Sequence, residues 1–215
     1  MTNLIRRRGL LIGTASAAIA ASSMSWAQGG SAMTRIDFEG TAYKEEITGT
    51  GAPASWKLLD DPSAPTKRKV LAQISTDKTD YRFPLAIFDQ PVAADTDVSV
   101  RFKPTAGDVD RAAGIALRLS DANNYYVVRA NALEDNVRLY KVVKGQRMQF
   151  AGANLKVPSG VWQELRLTAR GSRFEVFLNG KSLYSATDAT FTSAGRVALW
   201  TKSDSVTYFD DLRIA

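Results

Sequence analysis

Neither cysteine nor histidine occurs among the 215 residues. The first absence excludes disulfides and thiolate metal sites, so a large apolar core must supply the stability. The second removes the Ser-His-Asp triad, Cys-His dyads and every His-ligated zinc or iron site. Any chemistry must then fall to carboxylates, Lys, Tyr or Arg. Long apolar runs are also scarce. The stretch from Leu10 to about Ala21 is broken by Gly13, Thr14 and Ser16 and falls short of the roughly 20 apolar residues that span a bilayer. No stable membrane anchor is expected.

That stretch reads instead as an export leader. Arg6, Arg7 and Arg8 form a basic n-region, the apolar run an h-region, and Ser25-Trp26-Ala27 a cleavage site with small residues two apart. Arg7-Arg8-Gly9-Leu10-Leu11 resembles the twin-arginine pattern, with Arg6 where Ser or Thr is usual and ordinary Sec export as the alternative. A signal peptide over 1–27 implies a periplasmic or secreted protein. Its removal from 215 residues leaves 188, the size of one domain. Residues 28–33, starting Gln28-Gly29-Gly30-Ser31, read as a flexible junction, and 34–215 as a single domain. Three arginines and no acid lie in the leader, which reduces the formal charge of +6 to +3. That balance leaves no phosphate-tracking stripe, and no nucleic-acid partner is expected.

What the chain does contain is a succession of short alternating runs. They are Asp97–Lys103, Ala113–Leu119, Tyr125–Asn131, Asn136–Val143, Glu164–Arg170, Arg173–Leu178, Arg196–Lys202 and Ser205–Ile214. Turn residues separate them, and Asn179-Gly180 is a type I′ hairpin signal. Further strands are expected at Thr34–Phe38 and near Lys69–Ile74 and Arg82–Ile87. The pattern predicts an all-β fold, an antiparallel β-sandwich of jelly-roll type.

Alternation divides each run into two faces. Val98, Val100, Phe102, Ile115, Leu117, Tyr126, Val128, Val137, Leu139, Val197 and Leu199 form an aliphatic set that must be core. If the strands share a sheet, the opposite set gathers Arg101, Arg118, Arg129, Arg138 and Lys202 among Tyr125, Tyr140 and Trp200, with little acid to match. Guanidinium groups grip hydroxyls or a carboxylate by paired hydrogen bonds, and aromatic rings cover the apolar face of a sugar. The face is therefore a candidate site for a carbohydrate or another polar or anionic small molecule. It comprises Arg118, Tyr125, Arg129, Arg138, Tyr140 and Trp200, with Asn131, Asn136 and Lys202 setting orientation. The alternative is a solvated outer surface on which Arg stems cover aliphatic neighbours.

Three stretches carry a family resemblance: Gly114–Arg118 with Asn124–Asn131, Trp162–Gly180, and Gly195–Trp200 through Tyr208–Leu212. They resemble the bacterial 3-keto-disaccharide hydrolase-like domains and laminin-G-like sandwiches of the concanavalin A-like lectin/glucanase superfamily. The resemblance implies a lectin-like or glycoside-related role. It leaves three readings open: a carbohydrate-binding module, a hydrolase or lyase acting on 3-keto-glycosides, and an envelope protein-interaction domain. The glucanase Glu-x-Asp-x-Glu strand is missing; Glu45-Glu46, Glu134-Asp135 and Asp210-Asp211 are adjacent and straddle a strand. No catalytic residue follows, although Glu134, Asp135 and Asp204 sit where they could join a cleft. Related sandwiches also hold a structural calcium between a Phe-Glu-Gly opening and an aromatic-Asp-Asp close. The resemblance implies that site here, with Glu39 and Asp211 as first ligands and Asp37 and Asp210 as further ones. No organic cofactor is implied.

Overall fold

The structure, a computed structural model, describes Met1 and residues 33–40, 42–66 and 68–215. Apart from Met1 and Met33, the expected leader and junction lie outside the described residues.

Fifteen strands and no helix occur among the described residues. They are β1 (Thr34–Ile36), β2 (Lys44–Gly49), β3 (Trp56–Asp60), β4 (Lys69–Gln73), β5 (Arg82–Ala93), β6 (Thr96–Ala106), β7 (Ala112–Asp121), β8 (Asn124–Asn131), β9 (Asn136–Val143), β10 (Gln146–Asn154), β11 (Gln163–Arg170), β12 (Arg173–Leu178), β13 (Lys181–Thr187), β14 (Gly195–Trp200) and β15 (Val206–Ile214). One sheet runs β13-β12-β11-β6-β15-β4-β3, with β1 also paired to β15; the other runs β10-β9-β8-β7-β14-β5-β2. The all-β antiparallel sandwich expected from the sequence is the observed fold. The eight regular runs and the three opening strands appear at their expected places, whereas β2, β3, β10 and β13 were not anticipated.

Alternation explains the packing between the sheets. Val98, Val100 and Phe102 of β6 register with Leu167, Leu165 and Gln163 of β11, and Phe102 also faces Phe209 of β15. Against them the second sheet sends Ile115, Leu117, Tyr126, Val128, Val137, Leu139, Val197 and Leu199, all buried in one cluster. Asn179 and Gly180 have φ of 51° and 75°, the left-handed geometry of the anticipated type I′ turn, and they join β12 to β13.

The seven-stranded sheet is apolar on its other face too. Phe83, Leu85, Ile87, Ala116, Tyr125, Val127, Tyr140, Val142, Ala198 and Trp200 form a second buried cluster. Curvature produces it. Four inter-strand steps separate β9 from β5, roughly 19 Å in a flat sheet. Yet Tyr81, at the start of β5, donates from its hydroxyl to Gly145 O in the β9–β10 turn at 2.7 Å and accepts from Arg147 N at 2.9 Å. The sheet is rolled, and its concave face closes over its own side chains.

Arg118 sits where this sheet departs from simple alternation. The β7–β14 register slips between Arg196↔Leu119 and Ala198↔Ala116, and Arg118 takes φ 51°. An extra residue in a ladder turns the following side chains to new faces. Gly195 fits against this bulge, where an added Cβ would lie 2.4 Å from Arg118 C and 2.7 Å from Leu119 N. Backbone cannot yield as a side-chain tip can, so Gly195→Ala is expected to cost about 2 kcal/mol or more in urea unfolding, against little for Gly40→Ala, where an added Cβ meets nothing within 4 Å.

Candidate functional site

The concave face collects most of the residues singled out from sequence, but not in the expected roles. Arg129 and Arg138 are direct cross-strand partners on β8 and β9, as are Asn131 and Asn136. Trp200 lies beside Gly114, whose added Cβ would meet the indole at 3.1 Å. Arg129, Asn131, Asn136, Arg138, Tyr140, Tyr125, Trp200 and Lys202 do converge on this sheet.

Two members of the expected set leave it. Arg118 is turned away by its bulge; its guanidinium donates to Ala94 O, Phe191 O and Gly171 O at 2.6–2.7 Å and lies over Phe174 of the inter-sheet core. It staples three loops, with Asp95 3.6 Å from its Nη2, and these partners hold it away from the concave face. Arg101, on β6, belongs to the other sheet altogether.

The aromatic rings also change roles. Trp200 and Tyr125 are fully buried, and Tyr140 is 6% exposed, so none offers an open ring face for stacking. Phe83 stacks on Trp200 with centroids 5.2 Å apart. Thr48 Oγ1 donates its single proton to Ala122 O, so the Tyr125 hydroxyl must donate to Thr48 across 2.7 Å. Trp200 Nε1 donates in turn to Tyr125 at 3.2 Å. Burial pushes the Tyr125 phenol up to about 12, while these hydrogen bonds act the other way.

The polar end of the face is a paired network. Arg129 Nη2 donates to Glu134 Oε2 at 2.6 Å and to Asn136 Oδ1 at 2.9 Å, and Nη1 reaches Glu134 Oε1 at 3.5 Å. Asp110 Oδ1 accepts from Asn131 at 2.9 Å, and its Oδ2 lies 3.0 Å from Lys202 Nζ and 3.8 Å from Arg129 Nη1. Lys202 is also paired with Asp80. The acids absent from the strand alternation are thus supplied by loops, which corrects the reading of a face with little acid. Burial raises the Asp110 carboxyl against the pull of Arg129 and Lys202. For Glu134 burial acts upward, but the Asn136 and Arg129 hydrogen bonds outweigh it and hold the carboxyl low.

Sequence reasoning missed Asp80, Asp110 and Arg147. Arg147, on β10, places its guanidinium carbon 4.6 Å from the Tyr140 ring centre, 4.7 Å from Phe83 and 5.8 Å from Trp200. It covers the rings that had been expected to face a ligand. Of the further acids, Glu134 joins the network. Asp135 pairs with Lys156, and Asp204 accepts backbone N–H groups of Asp108, Val109 and Asp110. At the solvent edge, the Glu134 and Asp80 side chains are 48% and 76% exposed. Three shallow cavities of 280 to 290 Å³ lie elsewhere, beside Ser99 and Arg166, beside Arg118, and beside Glu45 and Pro53.

The calcium ligands implied by resemblance do not assemble. Asp211 pairs with Arg35 and Arg213, Asp210 accepts from Thr66, Glu39 accepts from Arg68 and Lys69 backbone, and Asp37 accepts from Glu39 N. Among the described residues no three His, Cys, Asp or Glu side chains are grouped to hold a metal ion. Two guanidinium groups on Asp211 already neutralise the charge that calcium would, and these residues do not fit the ion.

The fold and the site together define an antiparallel β-sandwich domain with a polar, charge-paired patch on the concave face of its rolled sheet. The chain belongs to the family of 3-keto-alpha-glucoside-1,2-lyase-like domains, which its residues 54–215 match. Among solved structures it is similar to the carbohydrate binding module CBM66 from Bacillus subtilis, at 18% identity over 80% of this chain and 95% of that one, with a TM-score of 0.63. The cellulose induced protein Cip1 aligns at 13% identity over 85% and 96%, with a TM-score of 0.62. A protein of unknown function from Shewanella oneidensis MR-1 aligns at 15% identity over 85% and 84%, with a TM-score of 0.53. At these identities the likeness is one of fold. No curated protein matches the chain.

Two outcomes follow from the geometry. Tyr125→Phe leaves Trp200 Nε1 without an acceptor in a dry core and is expected to lower stability in urea unfolding by about 1–3 kcal/mol. Glu134 has a folded-state pKa below its ordinary 4.5, so its pairing contributes stability above that pH and loses it as the pH falls through the lower folded value. The thermal midpoint of Glu134→Gln should therefore converge on that of the parent chain under acid conditions and lie below it at neutral pH.

Proposed function

We propose that this is an exported carbohydrate-binding domain, periplasmic or secreted, whose site is the polar end of the concave face. The observation that carries this reading is the Arg129–Glu134–Asn136 network joined through Asp110 to Lys202 and Asp80. A sugar hydroxyl both donates and accepts. Carboxylates and cations held side by side in a fixed array meet both needs at once, and charge-assisted bonds of this kind are the strong ones. Pre-pairing holds the side chains still before the ligand arrives, which lowers the ordering cost of binding. Glu134 and Asp80 at the rim would accept hydroxyl protons, and Lys202 and Arg129 at the floor would donate. The family's name and the similarity in fold to a carbohydrate binding module support the same class of ligand.

Asp110 favours a second reading. Elimination from a 3-keto-glycoside needs a base beside a charge stabiliser. Asp110 has a carboxyl raised by burial, with Lys202 3.0 Å from an oxygen that accepts no hydrogen bond. In that reading Asp110 would take the proton beside the keto group, Lys202 and Arg129 would steady the developing enolate, and the glycosidic C–O bond would break as the proton passes from Asp110 to the departing alcohol oxygen.

Titration calorimetry of the full chain against mono- and disaccharides and 3-keto-glycosides, with product analysis of every hit, tests both. Binding with intact ligand recovered, weakened about tenfold (about 1.4 kcal/mol) in Glu134→Gln or Asp80→Asn, is the expected result. Consumption of a keto-glycoside that Asp110→Asn abolishes would instead make the domain an enzyme. No response to any sugar would sink both readings.

A further inference from the structure

Arg129 and Arg147 both lie over the Tyr140 ring, Arg138 stands two residues before that tyrosine on β9, and among the described residues only Arg129 of the three has a carboxylate in ion-pair range. Arg129 is paired with Glu134. Arg138, directly opposite Arg129 on the neighbouring strand, donates only to the neutral amide of Asn154 at 2.5 Å. Like charges placed directly opposite on one face of an antiparallel pair destabilise it. Arg147 lies over Tyr140 with no carboxylate in ion-pair range among the described residues, and its Nη1 is buried without a hydrogen-bond partner. The three nearby acids are already engaged, Glu134 by Arg129 and both Asp80 and Asp110 by Lys202. Four cations thus face three carboxylates, and the surplus sits on the β9–β10 side of the face.

The fold holds this surplus in place. Arg138 lies flat across the edge strand only because residue 152 is glycine; a Cβ there would come within 2.5 Å of Arg138 Cδ. Arg147 is held by Phe83 and Tyr140 on its flat side and by the Tyr81 hydroxyl at its backbone nitrogen. A buried N–H with no acceptor and an unrelieved arginine pair are costs that a sequence under no further demand would remove by one substitution. Such departures from local consistency concentrate at functional sites.

We infer that the ligand of this face carries a carboxylate, held by Arg138 and Arg147 beside Tyr140, and that its class is therefore a sugar acid such as a uronate. The inference rests on the carbohydrate reading above and adds to it the charge of the ligand. Planar, doubly donating guanidinium groups match a carboxylate in shape as well as charge. Glu134 and Asp80 remain for the hydroxyls of the same sugar, so the ring would span the face from its paired end to its unpaired end.

The test compares galacturonate and glucuronate with their methyl esters and with galactose and glucose, by calorimetry on the full chain at neutral pH. The esters keep the shape and remove the charge. The expected result is binding of at least one free acid about tenfold or more above its ester, a ratio that shrinks as sodium chloride is raised. In Arg138→Gln and in Arg147→Gln the ratio should fall towards one. Gly152→Ala keeps every charge yet displaces Arg138, and should lower the ratio too; circular dichroism melting of each variant separates this from unfolding. Acid and ester bound alike, or a ratio unmoved by all three substitutions, would overturn the inference while leaving the carbohydrate reading intact. Acetate or sulfate bound as tightly as the uronate would replace the sugar acid with a bare anion and overturn it as well. Silence towards every sugar, charged or neutral, removes the underlying reading and this one together.

Discussion

The rolling of the seven-stranded sheet is the constraint from which the rest of the molecule follows. Tyr81 bonded to the β9–β10 turn and Thr48 bonded to the β7–β8 turn tie together elements that a flat sheet would hold far apart. Rolling removes from water a face that antiparallel sheets often leave solvated. It is why Phe83, Trp200, Tyr125 and Tyr140 read as a second core. It also fixes what remains open: once the centre is filled by apolar and aromatic groups, polar side chains can gather only at the ends and along the β10 edge.

Much of the fold was legible because its signal is periodic. Strands β6, β11 and β12 carry that signal as apolar and polar residues in alternation, which a sheet buried on one face demands, and β7, β8 and β14 carry it as short apolar runs bounded by turn residues. The strands that escaped notice lack it. Residues Gln146–Asn154 carry only two large apolar side chains, Met148 and Phe150, amid Gln, Arg, Gly, Ala and Asn. Strand β13 begins Lys-Ser and ends Ala-Thr. Both are edges of their sheets, held by pairing on one side only, so composition demands little of them. The turn before β13 was visible all the same, in Asn179-Gly180.

The site was legible by half. Alternation places Arg129, Asn131, Asn136, Arg138, Tyr140 and Trp200 on one face, as the ladders bear out. It is silent on the third dimension. Asp80, Asp110 and Glu134 come from loops whose approach depends on the curl of the sheet and on Asp204, whose carboxylate gathers the N–H groups of residues 108–110. Arg118 could not have been assigned, since a bulge shifts the phase of a strand without leaving a mark in composition. Burial of the indole and phenol rings was likewise invisible, because the same Tyr and Trp suit an exposed platform or a satisfied interior.

The rings and the charges exchange places relative to a simple lectin face. In a stacking site an aromatic ring meets the ligand and polar groups steady the ring. Here the rings of Tyr140, Phe83 and Trp200 steady the Arg147 guanidinium, whose position is then set by aromatic packing rather than by an acid. A cation fixed by rings keeps its full charge available, whereas one fixed by a carboxylate does not. The contrast between Arg147 and Arg129, whose guanidinium groups both lie over Tyr140, therefore divides the face electrostatically. Arg129 is neutralised by Glu134, Arg147 is positioned with no carboxylate in ion-pair range among the described residues, and the second kind is what a negatively charged group would find.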